Sequence, residues 1–400
     1  MALENRLRLL YLSSWFPYPP DNGSRQRAFH LLKQLAARHE ISLFAFYDGD
    51  QTPPQCDALR AYCRDLTTLP RRMFNPRGIG ALRAFVSPLP RSVTHTFDAD
   101  LYARIQEHAA REAYDAILVG ELGMAPYGRG IRAHVKILDA VEAGVFADAF
   151  QNAQGAARLR AGLTWWKFKH YVRNLAAEFD ALTVVSPREH ALVSALGIPA
   201  RKIHVVPNGV DCKAADAISA AWEPNTCIYN GALTFAPNYD AVRYFVREIL
   251  PRVRVHEPNA RVRITGRADQ VAQNELSADN VVLFTGYVAD VKPLVKASAV
   301  CIVPLRMGGG TRLKILEAMA LRTPVVSTSK GAEGLNVKHR EHLLIADTPV
   351  EFANAILELF RNPALREQLT RAAYQLVCAE YDWTIIARQL DKILVEDTPQ

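Results

Sequence analysis

Residues 308–326, GGGTRLKILEAMALRTPVV, open on a glycine run followed within 308–317 by two cations and one carboxylate. Glycines let backbone N–H groups approach an anion, and the positive end of a following helix dipole favours negative charge there. The run therefore reads as a phosphate-binding turn, with Gly309, Gly310, Thr311 and Arg312 at the ligand and Lys314 beside it. Glu317 lies about two helical turns further on at ~1.5 Å per residue, where a carboxylate suits paired hydroxyls such as those of a ribose. Its neighbours Ile315, Leu316, Ala318, Met319 and Ala320 are apolar, and an acid in that setting needs a partner. A tight turn with nothing bound and a solvated helix-face glutamate are the plainer alternatives.

The elements needed to hold such a turn are present. Residues 299–304 read as a buried parallel strand before it, and residues 324–328 as the next strand after the helix. From end to end, short apolar strands alternate with amphipathic helices, the α/β signature. Strands are expected at 9–13, 41–46, 116–119, 135–138, 181–185 and 203–206, and then at 226–229, 261–265, 281–284, 299–303 and 325–327. A helix is expected over 24–38 and a last one over 384–395. Gly197 and Pro199 stop a helix ahead of residue 203 and mark a division, and 400 residues suit two cores rather than one.

Several weaker signals accompany the turn. Residues 17–24, PYPPDNGS, follow the first strand, and Asp21, Asn22 or Ser24 can cap the helix that carries Arg25 and Arg27. A loop there also lines the ligand crevice of a doubly wound sheet. Asp48-Gly-Asp50 and Asp98-Ala-Asp100 match a metal-binding Asp-x-Asp pattern that arises easily by chance, and the first reads more simply as a turn. Histidines show no paired spacing for zinc, and six cysteines without a C-x-x-C pair suggest neither a metal site nor a disulfide framework. Cys56 and Cys63 have the spacing of one buried helix face.

Together these residues resemble a family 4 retaining glycosyltransferase of the GT-B architecture, nearest to the sugar transferases of bacterial exopolysaccharide systems. The resemblance is carried by residues 17–24, by VVPNGVD at 205–211, by Asn230-Gly231-Ala232 with Pro237-Asn238, by LFTG at 283–286 and by the turn with Glu317. It implies two Rossmann-like α/β domains facing a cleft. Residues 1–199 would bind the acceptor, 200–380 the nucleotide sugar, and 381–400 would form a helix packing back on the first domain. It implies a nucleotide-diphosphate-sugar as co-substrate with no metal and no further cofactor, and a glycan or polyprenyl-linked acceptor in surface polysaccharide synthesis. Donor-binding residues by this resemblance are Glu317, Gly309, Gly310, Thr311, Arg312, Lys314, Gly231, Arg267 and Gly286, and Gly23 would let the backbone approach the acceptor or the transferred sugar.

Three positions depart from the family. Gly309 stands where many members carry a first glutamate, eight positions before Glu317. Residues 231–238 lack the usual Arg and Lys, which leaves Arg312, Lys314 and Arg267 to neutralise the diphosphate. The histidine many members carry near the end of an N-terminal strand is absent; Asp139 ends that strand, with Glu142 close behind. Asp139 is accordingly the candidate to orient or deprotonate the acceptor, or else to cap the next segment. A nucleotide-sugar epimerase of the same fold and a non-catalytic sugar-nucleotide-binding subunit are the rival readings.

Composition bounds the partners. With 49% apolar and 22% charged residues the chain is an ordinary globular one, and no apolar run approaches a membrane span. No signal-peptide pattern follows Met1, so the expected location is cytoplasmic, with peripheral attachment to the inner membrane face. The formal charge of +7 allows an anionic surface or substrate. Much of the excess lies in 69–91, where Arg71, Arg72, Arg77, Arg83 and Arg91 alternate with apolar residues, and more in WWKFKHY at 165–171 with Arg173. Such mixtures suit an anionic lipid interface, although residues 165–171 read more simply as an amphipathic helix with its aromatics in the core. No nucleic-acid-binding motif accompanies the charge.

Overall fold

The computed structural model describes residues 6–48, 56–71, 87–269, 276 and 281–396, and they form two compact units. The first unit runs to Asn208 and resumes at Ile386; the second is Gly209–Ile385.

The first unit is a parallel sheet of β1 (Arg8–Ser13), β2 (Glu40–Asp48), β3 (Asp65–Arg71), β4 (Ala116–Gly120), β5 (Val135–Asp139), β6 (Ala181–Val184) and β7 (Ile203–Val205). Their spatial order is β3-β2-β1-β4-β5-β6-β7, so the winding reverses between β1 and β4. Leu9, Leu10 and Leu12 of β1 and every residue of β4 are buried, as expected of strands covered on both faces. β7 follows the division expected after residue 199 yet pairs with β6, because Leu182, Thr183 and Val184 are registered against Ile203, His204 and Val205. The units therefore part after this edge strand.

The second unit contains β8 (Glu223–Asn230), β9 (Arg261–Thr265), β10 (Val282–Gly286), β11 (Ser298–Val303), β12 (Val325–Ser327) and β13 (Leu344–Ile345), in the order β10-β9-β8-β11-β12-β13. Here the winding reverses between β8 and β11. Ligands of doubly wound sheets bind outside the carboxyl ends of the strands at such a reversal. β8 ends at Asn230 and β11 opens into the glycine turn, so the turn lies at the reversal of its own sheet.

Four helices carry the charged and aromatic groups of functional interest: α1 (Gly23–Leu35), α2 (Gly155–Glu178), α3 (Leu313–Ala320) and α4 (Trp383–Glu396). Asn22 caps α1 by accepting from Arg25 N at 3.0 Å. From Ile386 onward α4 belongs to the first unit, where Asp391 Oδ1 lies 2.6 Å from His39 Nε2 and Oδ2 lies 2.7 Å from Arg38.

Two strands escape the sequence pattern for physical reasons. β3 is an edge strand whose DLTTLPR carries paired threonines and a proline, which an edge tolerates and a central strand does not. β13 is only two residues long. The helix expected to carry both Cys56 and Cys63 is a single turn, Asp57–Arg60, and stops short of Cys63.

Candidate active site

Glu317 sits on α3 with its Oε2 accepting a 3.1 Å hydrogen bond from Asn230 Nδ2, so the last residue of β8 answers the acid on the helix after β11. Asn230 Oδ1 is buried and has no hydrogen-bond partner among the described residues. One turn earlier, the Lys314 ammonium lies 3.8 Å from the centroid of the Tyr229 ring and 3.3 Å from Asn238 Oδ1. Burial, helped by the like charge of Arg312, pushes the Lys314 pKa down to about 7, against the opposing pull of Glu317. Tyr229 in turn donates to Asn238 Oδ1 at 2.6 Å, and Asn238 Nδ2 donates to Ala232 O at 2.9 Å.

Gly231 is required here by space rather than by conformation. A Cβ on it would meet Asn238 Nδ2 at 2.9 Å and Lys314 Nζ at 3.0 Å. In the turn itself Gly308 has φ +100° and Gly310 φ +82°, a conformation that favours glycine, and Gly309 between them does not share it. Thr311 Oγ1 is buried, again without a partner among the described residues.

Arg312 is tied into the turn it follows. Its guanidinium donates to Gly309 O at 3.0 Å, Gly308 O at 2.7 Å and Lys330 O at 3.2 Å. It braces the turn from inside, and Lys314 lies near enough for the Arg312 charge to act on it. Arg267 is exposed and stacks over Tyr287 at 5.7 Å, while its carbonyl receives Leu233 N at 2.8 Å. Gly286 closes β10 with φ +67° and accepts from Gly266 N at 2.9 Å.

The carboxyl edge of the first sheet is arranged otherwise. Asp139 ends β5 with Oδ2 at 2.7 Å from Arg27 Nε and Oδ1 at 2.6 Å from Arg27 Nη2, and Thr183 Oγ1 donates to the same Oδ1 at 2.5 Å. Burial alone would lower the Arg27 pKa, but the charge of Asp139 and the hydrogen bonds to it carry it above its ordinary value. Arg27 Nη1 also donates to Val206 O, Pro207 O and Asn208 Oδ1, each at 3.0 Å. Asp139 is 1% exposed. It neither presents a free oxygen nor caps a helix, and Thr183 Oγ1 receives the next backbone N–H instead. Gly23 is the first residue of α1, inside the Asn22 cap.

Beside this pair, Glu121 follows β4 with φ 68° and ψ 155°, a region nearly confined to glycine. Its Oε2 accepts from Trp15 Nε1 at 3.2 Å, and the Arg25 guanidinium lies 5.9 Å from the Trp15 ring. Burial, then repulsion from Glu121 and Glu189, push the Glu142 pKa up to about 7 against the pull of Arg27. Asp98 of the second Asp-x-Asp pattern is a helix cap accepting from Asp100 N and Leu101 N, whereas residues 49–55 after Asp48 lie outside the described residues.

The sequence singled out Glu317, Lys314, Gly231 and Thr311, and the structure brings these four together. It adds Tyr229, and it gives specific partners to Asn230 and Asn238, marked in the sequence only by the resemblance, and to Arg27 on the first sheet. An asparagine ending a buried strand just before a glycine was the available signal for Asn230.

Two family models cover most of the chain. One described as Glycosyltransferase Family 4 matches residues 21–214, and one described as Glycosyl transferases group 1 matches residues 224–362. The chain is a glycosyltransferase, with one domain matching each model. A protein of the cps region of Klebsiella pneumoniae is 21% identical over 396 residues, covering 94% of this chain and 96% of its own length. A phosphatidyl-myo-inositol mannosyltransferase of Mycobacterium leprae is 29% identical over 201 residues, which is 47% of this chain and 52% of that protein. Among solved structures, a sucrose-phosphate synthase from Thermosynechococcus elongatus superposes with TM-score 0.71 at 20% identity, covering 97% of this chain and 98% of the other. Anabaena HepE, in complex with UDP and glucose, gives 0.67 at 15% identity, covering 98% of this chain and all of that one, 100%. The shared architecture is GT-B, with two Rossmann-like units. The glycosyltransferase thus carries its glycine turn and Glu317 in the part matched by the group 1 model, and Asp139 and Arg27 in the part matched by the family 4 model.

Proposed function

We propose that this glycosyltransferase takes its sugar from a nucleoside diphosphate sugar held by the second unit and passes it, with retention at the anomeric carbon, to a glycan or lipid-linked sugar in surface polysaccharide synthesis. The observation that carries the reading is the arrangement around Glu317: a carboxylate held by Asn230, an ammonium against Tyr229, and a glycine turn, all at the winding reversal of one sheet. Asn230 Oδ1 and Thr311 Oγ1 are buried polar atoms that a bound ligand would satisfy. HepE, of the same fold, was solved with UDP and glucose, which supports the donor class.

In this reading Glu317 accepts from the ribose hydroxyls, and the backbone amides of residues 309–312 meet the diphosphate. Lys314 supplies the positive charge that the missing Arg and Lys after β8 would give, and stabilises the departing diphosphate without a metal ion. The first unit places the acceptor. The proton of its hydroxyl goes to the leaving phosphate, so a buried pair of acids is not required.

A thermal-shift screen against nucleoside diphosphates tests the donor site, since a ligand at 100 times its dissociation constant stabilises by about 2.7 kcal/mol. Proton NMR of the product then reports the anomeric configuration, and chelator is expected to leave turnover intact. No shift with any nucleoside diphosphate, or epimerised sugar released from donor alone, would overturn the proposal.

A further inference from the structure

Helix α2 has two faces of opposite character. Phe168, Tyr171, Val172 and Leu175 turn into the core of the first unit, and Phe146 stacks on Phe168 at 4.6 Å. Residues 155–160 are all exposed. Leu159 is 79% exposed and Trp166 47% exposed, and with half-buried Leu163, exposed His170 and exposed Arg173 they follow the alternating spacing of four and three that makes one helical stripe. Arg158 and Arg160 flank Leu159, and Lys169, 5.6 Å from the Trp165 ring, flanks His170. From residue 155 to residue 177 the helix carries five Lys and Arg and no Asp or Glu.

Leu159 and Trp166 lie outward on a helix whose core face is already filled, with the Trp166 ring 4.4 Å from that of His170. Burying them needs a surface that accepts apolar side chains between cations, and charge complementarity makes that surface anionic. Trp is suited to the boundary between water and hydrocarbon, because its ring is apolar and its N–H polar. Among the described residues no helix is long and apolar enough to cross a membrane. We infer that the outer face of α2, with Leu159 and Trp166 inserted and Arg158, Arg160 and Lys169 around them, docks the protein on an anionic lipid bilayer. The helix lies in the plane of the headgroups, as basic amphipathic helices do. This rests on the exposure and charge of α2 and not on the sugar-transfer reading; of the other basic segment, 69–91, residues 72–86 lie outside the described residues.

The test is co-sedimentation of the full chain with vesicles of phosphatidylcholine alone and with vesicles containing phosphatidylglycerol. The protein is expected to pellet with the second and to be released by added salt. The triple variant Arg158→Ser, Arg160→Ser, Lys169→Ser should weaken partitioning roughly 100-fold, taking each surface cation at its usual contribution. Trp166→Ala should weaken it with salt sensitivity retained, and should abolish the fluorescence blue shift on adding vesicles. These side chains are outside the core, so unchanged melting curves accompany both variants. Variants that sediment like the parent, equal sedimentation with neutral and anionic vesicles, or no sedimentation with either, overturn the inference. The last outcome would leave nucleotide binding untouched and so is distinguishable from failure of the donor site.

Discussion

At the carboxyl edge of the first sheet, Arg27 and Asp139 answer each other through two hydrogen bonds, with Thr183 and the carbonyls of Val206 and Pro207 completing the set. At the same edge of the second sheet, Lys314 has an aromatic face and one long hydrogen bond, and Asn230 Oδ1 and Thr311 Oγ1 have no partner among the described residues. The two sheets wind alike and put charge at the same topological position, yet one set of charges is closed on itself and the other is left open. A strand-end acid is therefore weak evidence of chemistry until its partners are known. What marks a ligand site is the unanswered polar group next to it.

The sharpest way to break this comparison is Asp139→Asn. An amide leaves the Arg27 guanidinium buried without its counter-charge, and removal of one partner of a buried pair costs about 3–5 kcal/mol. Denaturant unfolding should show a loss of that size, far more than an exchange of one helix cap for another. If Asp139 instead acts on the acceptor, the variant would keep its stability and lose turnover. That result would make the two edges functionally alike.

Glu317→Ala tests the open side. Loss of a charged hydrogen bond, about 1.5 to 3 kcal/mol, corresponds to a roughly 10- to 150-fold weaker affinity for nucleoside diphosphate by calorimetry. Unfolding stability should change little, since Glu317 is half-buried and its neighbour Asn230 already carries an unanswered oxygen. Unchanged affinity would remove the ribose role and with it the contrast between the edges.

The architecture was legible in the sequence because parallel strands covered on both faces read as unbroken apolar runs: β1, β4, β8 and β11 appear where residues 9–13, 116–119, 226–229 and 299–303 predict them. A half-polar edge strand and a strand of two residues do not announce themselves, hence the silence over β3 and β13. In the site, glycines and a lone acid on an apolar helix mark themselves by composition, and the turn, Lys314 and Glu317 were read from that, whereas Gly231 came from the family resemblance. The partner of an acid is another matter. Asn230 lies 87 positions from Glu317, and Arg27 lies 112 positions from Asp139. No local pattern encodes such pairings, because they arise only when the sheet order brings strand ends together. The same blindness hid the contacts of Arg312, whose guanidinium donates to the carbonyls of Gly308 and Gly309.

Lys314 sharpens the comparison through pH. Its folded pKa, near 7, lies below the ordinary 10.5, so the unfolded chain holds the proton more tightly between those values and stability rises with pH across that window. A diphosphate next to the ammonium reverses the preference. Binding above about pH 7 should therefore take up a proton, visible as a dependence of the calorimetric enthalpy on the ionisation enthalpy of the buffer. Lys314→Met should abolish the uptake and weaken affinity. Proton uptake persisting in that variant would assign the titration to another group.

The smallest expected effect is on the closed side, at Glu142, whose pKa is pushed up to about 7 from an ordinary 4.5. The groups acting on it are Glu121 after β4, Glu189 from the helix Pro187–Ser194, and Arg27 of α1, the first two repelling its charge and the last attracting it. Because the folded state holds this proton more tightly, folding is favoured while Glu142 is protonated, and stability falls as pH rises from 4.5 to about 7. Glu142→Gln removes the titration. Its stability should match the parent below that window and exceed it above, by ~1 kcal/mol once solvent screening of a half-buried carboxyl is allowed for, or about 2–4 °C in melting temperature. If Glu142 is merely an ill-placed charge beside a closed ion pair, turnover is unaffected by the substitution. Turnover lost together with the acid limb of its pH profile would instead show that the first sheet has an open group of its own, just beyond the pair that looked like the obvious candidate.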